Sequence, residues 1–101
     1  MSYRNGLEAA ARICTYVRDG QRQNVDTVED AIAQCIHEIA TEEMAQYDVA
    51  YQVEYALGLN RAASFLMDIK RKVMNDKEGW AEFTPHEVLC ALPDMIAEKF
   101  R

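Results

Sequence analysis

Residues Glu42 to Asn75 read EEMAQYDVAYQVEYALGLNRAASFLMDIKRKVMN, and this stretch decides the fold. Met44, Tyr47, Tyr51, Tyr55, Leu59, Ala62, Leu66, Ile69 and Val73 follow one another at steps of three and four. That spacing gathers them on one face of a helix. Unbroken over 34 residues, the helix would be about 50 Å long at ~1.5 Å per residue. A compact domain of 101 residues is narrower than that. The sequence therefore predicts a kink or break at Gly58-Leu59-Asn60. Gly costs about 1 kcal/mol in a helix interior, and Asn can cap a new start.

Working outward, Tyr3, Leu7, Ala10, Cys14 and Val17 form an apolar stripe on a helix from about Tyr3 to Arg18. Gly20 is placed to end it in the left-handed conformation. A second helix starts near Asp26 or Thr27, where Asp26 with Glu29, or Thr27 with Asp30, can satisfy first-turn N–H groups. Its stripe is Val25, Val28, Ile32, Cys35 and Ile39. Two such helices joined by a short loop predict an antiparallel hairpin in which each covers the other. Beyond the polar turn from Asn75 to Glu82, Phe83-Thr84-Pro85-His86-Glu87-Val88 predicts a helix start. Thr84 is the N-cap, Pro85 the first helical residue and Glu87 the partner in a capping box, with Phe83 able to staple on Val88. Pro93 should kink or divide that last helix.

The expected fold is all-α: a small helical bundle and a single domain over residues 1–101. It comprises an N-terminal antiparallel hairpin, a long kinked central helix and a Pro-started C-terminal helix. Four Gly and two Pro are too few for a β-rich chain of this length. Three cysteines, Cys14, Cys35 and Cys90, make an odd count without a Cys-x-x-Cys pair. With no signal-peptide pattern after Met1, that predicts a reduced, cytoplasmic protein with no internal disulfide. No apolar run approaches the ~20 residues that span a bilayer, so no membrane partner is expected.

Charge is the feature that points to function. Between Arg22 and Arg61 there is no Lys or Arg, while Asp26, Glu29, Asp30, Glu38, Glu42, Glu43, Asp48 and Glu54 contribute -8. The formal net charge of the whole chain is -6, so the excess is local. Glu38 and Glu42, one turn apart, repel each other by a few tenths of a kcal/mol. One reading is a solvated face partly answered by Arg4, Arg12, Arg18 and Arg22. The other is a docking surface for a basic protein, with Glu38, Glu42, Glu43 and Asp48 as attracting groups. Tyr47, Tyr51 and Tyr55 lie within the same stretch at steps of four. They read either as core-edge residues or as apolar anchors of the contact. The same tyrosines would serve a homodimer.

Residues 53–73 offer a different function. Gly58 between two helical segments, the second ending Lys70-Arg71-Lys72, has the outline of a DNA-reading helix-turn-helix. Glu54 and Ser64 stand where such a motif places a small and an apolar residue, and the acidic net charge opposes direct nucleic-acid binding. His86 and Cys90 share a helix face without a third ligand at zinc-like spacing. There is no Glu-x-x-His pair, His-Glu-x-x-His or Gly-rich phosphate loop. A non-enzymatic protein without a metal or cofactor is expected.

Gly6 to Cys14, GLEAAARIC, followed by Ala31 to Ala40 with Cys35, resembles the start of many short helical accessory proteins encoded by phages and prophages. The resemblance covers about the first 40 residues. It implies a class that includes stoichiometric inhibitors of host defence, anti-CRISPR proteins among them. The function this implies is a binding protein that occupies a basic surface of a nucleic-acid-handling host complex.

Overall fold

The computed structural model describes residues 2–20, 27–42 and 48–100, and within them each apolar stripe becomes the buried face of a helix; Val25, Met44 and Tyr47 of the stripes lie outside these residues. The elements are α1 (Ser2–Asp19), α2 (Val28–Ala40), α3 (Val49–Asn75), the single turn α4 (Lys77–Trp80) and α5 (Pro85–Lys99). No strand occurs among the described residues. Ile32 of α2, Leu66 of α3, Leu89, Leu92 and Ile96 of α5, and the thiols Cys14 and Cys35 are the largest fully buried side chains. The bundle measures 44 × 26 × 18 Å.

The central helix differs from expectation at its start and at its middle. It begins at Val49, where Asp48 Oδ1 accepts the Tyr51 backbone N–H at 2.9 Å. It then runs without a break to Asn75, about 40 Å at the α-helical rise. Gly58 does not interrupt it. A Cβ on Gly58 would collide with the Tyr3 carbonyl oxygen and stand 3.0 Å from Gly6 Cα. A Cβ on Gly6 would collide with the Tyr55 carbonyl oxygen and stand 3.0 Å from Gly58 Cα. The two glycines face each other where α1 crosses α3, and their missing side chains let the backbones touch. Gly58 is a crossing point, not a hinge.

That crossing also revises which helix covers each stripe of the hairpin. α1 packs chiefly against α3 and α5, and α2 chiefly against α3; the contact between α1 and α2 is smaller. The long helix is able to cover both stripes along its length, so the first two helices are not each other's main partners. Cys14 and Cys35 nevertheless meet inside the core. The neighbouring Cys14 thiol, reinforced by burial, pushes the Cys35 pKa far upward, and both remain free.

Termini follow local chemistry. Gly20 donates to Tyr16 O at 2.8 Å, closing α1 with one more helical bond. The left-handed conformation expected there is not used, for no described glycine has positive φ. Thr27 Oγ1 accepts from Asp30 N at 3.1 Å and caps α2. In α5 the expected capping box is complete: Thr84 Oγ1 accepts from Glu87 N, and Glu87 Oε1 accepts from Thr84 N, each at 3.1 Å. Phe83 lies against Trp80, with ring centroids 5.5 Å apart, and stays partly exposed; Val88, its expected staple partner, is buried in the core. Pro93 does not divide α5, which continues to Lys99. Leu92 and Ile96 on either side of it are fully buried and hold the helix in place. Phe100 closes the end edge-on against Phe65 at 5.9 Å.

Candidate protein-docking surface

α2 places its acidic groups through its own periodicity. Val28, Ala31, Ile32, Cys35 and Ile39 fill the core, so Asp30, Gln34, His37, Glu38 and Thr41 fall on the opposite side. Asp30, His37, Glu38 and Thr41 are exposed. Glu38 accepts a hydrogen bond from Gln34 Nε2 at 2.8 Å. Glu42 follows the C-cap Thr41, is half-buried, and donates its backbone N–H to Ile39 O at 3.3 Å. Asp48 and Glu54 are exposed at the start of α3. Asp26, Glu43 and Tyr47 lie outside the described residues.

Among the described residues, no cation bonds Asp30, Glu38, Glu42, Asp48 or Glu54. Ion pairs among the described residues join Arg18 to Asp19 at 3.0 Å and Arg71 to Asp68 at 3.2 Å. Arg18, one of the arginines expected to answer the stretch, is engaged elsewhere. Asp19 first, and then the Cys90 thiol, hold its guanidinium above its ordinary pKa. Arg4 and Arg12 are exposed on α1 and take part in neither pair.

The tyrosines do not form one exposed stripe. A step of four residues rotates a side chain by about 40° around a helix of 3.6 residues per turn, so successive rings drift from surface to core. Tyr55 is only 5% exposed and belongs to the core. It is not a surface anchor. Tyr51 is half-buried; its ring stacks on Tyr55 with centroids 5.7 Å apart, and its hydroxyl accepts from Asn5 Nδ2 at 2.9 Å. This bond ties α3 to α1 near the glycine crossing, so Tyr51 offers a partner only part of its ring.

Segment 53–73 contains no turn. It lies wholly within α3, and the helix-turn-helix outlined in the sequence has no second helix to present. Arg71 and Lys72 are exposed near the C-terminus of α3, where positive charge complements the helix dipole. His86 and Cys90 are exposed on α5. No group of three or more His, Cys, Asp or Glu side chains is arranged to hold a metal among the described residues. None of the described helices is long and apolar enough to cross a membrane.

The reading of the sequence missed the outer face of α3. Val49 is 76% and Val53 65% exposed, and Leu57, Met67 and Met74 are each about half exposed. All five lie roughly opposite the core residues Tyr55, Leu59, Ala62, Leu66, Ile69 and Val73. The signal was available: α3 carries apolar residues on two faces, and only the inner set was followed. Comparison with protein families, with curated proteins and with solved structures finds no match for the chain.

Proposed function

We propose that the chain is a non-enzymatic binding protein whose acidic stretch docks on a basic surface of another protein. The observation that carries this reading is the exposure of Asp30, Glu38, Asp48 and Glu54 without a bonded cation among the described residues. Carboxylates left unneutralised after folding repel one another, and a basic partner relieves that repulsion. Their field speeds encounter with cationic surfaces and rejects anionic ones. Glu38, Glu42, Glu43 and Asp48 are the groups assigned to this role, with Tyr51 as the remaining aromatic edge. Tyr55 is withdrawn from it by burial. The partner class with the required charge is a nucleic-acid-handling protein, and the resemblance of the N-terminal 40 residues fits a phage-borne antagonist of such a system. A reducing cytoplasm suits the three free thiols.

The test is a variant carrying Glu38→Gln, Glu42→Gln, Glu43→Gln and Asp48→Asn. Far-UV circular dichroism should be unchanged, and retention of basic host proteins on the immobilised chain should fall sharply at physiological salt. A mobility-shift titration should show no binding of duplex DNA by either form. Equal retention of the same proteins by variant and parent, or tight duplex binding, would remove the acidic docking surface as the explanation.

A further inference from the structure

The outer face of α3 carries the exposed apolar residues Val53, Leu57, Met67 and Met74 where a lone domain would be polar. From Val53 the outward positions are Leu57, Asn60, Ser64, Met67, Arg71 and Met74. The steps between them are four, three, four, three, four and three, the 3.5-residue spacing of a coiled-coil seam. All seven are exposed. The seam extends for most of a helix almost as long as the bundle, whose long axis is 44 Å. Four of the seven positions, Val53, Leu57, Met67 and Met74, are both apolar and exposed, and exposed apolar residues recurring along one helix face mark a contact surface.

We propose that this face binds a second copy of the same chain, with the two α3 helices antiparallel about a two-fold axis between Asn60 and Ser64. Charge selects the orientation. The first half of α3, to Asn60, carries one charged residue, Glu54; the second half carries Arg61, Lys70, Arg71 and Lys72 against Asp68. A parallel pair would set both basic clusters side by side. An antiparallel pair instead sets each basic half against the half of the other copy whose one charged residue is Glu54. The two polar seam residues select the register. With Asn60 opposite Ser64 of the partner subunit, polar meets polar at the centre. Leu57 then faces Met67, and Val53 lies beside the aliphatic stem of Arg71, whose guanidinium exchanges its exposed pairing with Asp68 for Glu54 of the partner subunit across the seam. Sliding by one heptad either way breaks the Asn60–Ser64 match and shortens the overlap. The contact is isologous, so it closes as a dimer and does not propagate. Glu54 is the one carboxylate common to this face and the acidic stretch; the groups assigned to docking, Glu38, Glu42, Glu43 and Asp48, take no part in the dimer, so either proposal can fail alone.

Sedimentation equilibrium on the full chain at about 100 µM, where a micromolar dimer is almost fully formed, should give twice the chain mass. Leu57→Glu should give the monomer mass with unchanged far-UV circular dichroism. Glu54→Lys and Arg71→Glu should each raise the dimer dissociation constant by about tenfold, the equivalent of ~1.4 kcal/mol. The double variant should recover most of the parent affinity, because the charges are exchanged across the two-fold axis. A monomeric parent chain overturns the proposal. So does a dimer indifferent to Leu57→Glu, which must use another face. A dimer broken by Leu57→Glu but not rescued by the charge exchange overturns the antiparallel register.

Discussion

The outer faces of α2 and α3 belong to helices that bury their inner faces in one core, yet the two are chemically unlike. α2 presents Asp30, Gln34, His37, Glu38 and Thr41, so it is polar on the outside and apolar only toward the core. That is the ordinary amphipathic arrangement. α3 presents Val53, Leu57, Met67 and Met74 around Asn60 and Ser64, with apolar residues on both sides. The inner stripes supply the burial that folds the chain. The outer faces are under no such demand, and their difference bears on what each face contacts. The acidic face of α2 suits long-range attraction, and the seam of α3 suits short-range apolar contact.

Truncating the same residue type on the two faces of α3 gives the largest contrast. Leu66 is fully buried, and Leu66→Ala should destabilise by about 2–5 kcal/mol through lost burial and the cavity left behind. Leu57→Ala, nine residues earlier on the outer face, should change stability by no more than ~0.5 kcal/mol. Both are measured by urea unfolding at low protein concentration, so that self-association does not contribute. Equal losses would mean that Leu57 is covered within the monomer.

The rotation of α3 that separates its faces is set at the Gly6–Gly58 crossing. Gly58→Ala should gain up to about 1 kcal/mol of helix propensity, but its Cβ would be driven against the Tyr3 carbonyl. Overpacking of this kind costs about 1–3 kcal/mol, and a backbone neighbour cannot rotate aside. The expected net result is a lower urea midpoint. A higher midpoint would show that the helices separate at little cost, and the distinction between inner and outer faces would loosen with them.

Asp48 permits a finer cut, because it is both an acid of the proposed docking stretch and the cap of α3. Asp48→Ala should cost ~1 kcal/mol through the lost bond to Tyr51 N, whereas Asp48→Asn retains the cap. Asp48→Asn should therefore leave stability within about 0.5 kcal/mol and still reduce retention of basic partners. Destabilisation by both variants to the same degree would assign the carboxylate to folding through its charge.

The helices and the Thr84-Pro85-Glu87 cap were legible in the sequence because each rests on interactions a few residues apart. Gly58 was legible as exceptional but not as a crossing, since its partner Gly6 lies 52 positions away and nothing local joins the two. The expectation that α1 and α2 chiefly cover each other was revised for the same reason: periodicity shows that a stripe is buried, not which stripe covers it. Tyr51 and Tyr55 misled as anchors because steps of four alone were taken as one face, and the rotation per step carries Tyr55 inward. In the candidate site, the exposure of Asp30, Glu38, Asp48 and Glu54 followed from the pattern of their helices. The effect of Cys90 on Arg18, from 72 positions away, required the fold.

The three thiols report the same inside–outside division at the smallest energetic scale. Cys14 and Cys35 lie on the buried stripes of α1 and α2, and Cys90 is exposed on α5. Thiol reagents attack the thiolate, and a buried, hydrogen-bonded thiol keeps its proton. Native protein should therefore show one reactive thiol toward a disulfide reagent at mildly alkaline pH, and denatured protein three. Because folding raises the Cys35 pKa, the unfolded chain loses that proton first as pH rises. The folded state should thus keep its full contribution from this group below the unfolded thiol pKa. It should lose it progressively above about pH 8.5. Three thiols reacting at the same rate in native protein, or a stability that does not fall above that pH, would place the seam of α1 and α2 in contact with solvent. It would then resemble the outer face of α3 more than the core.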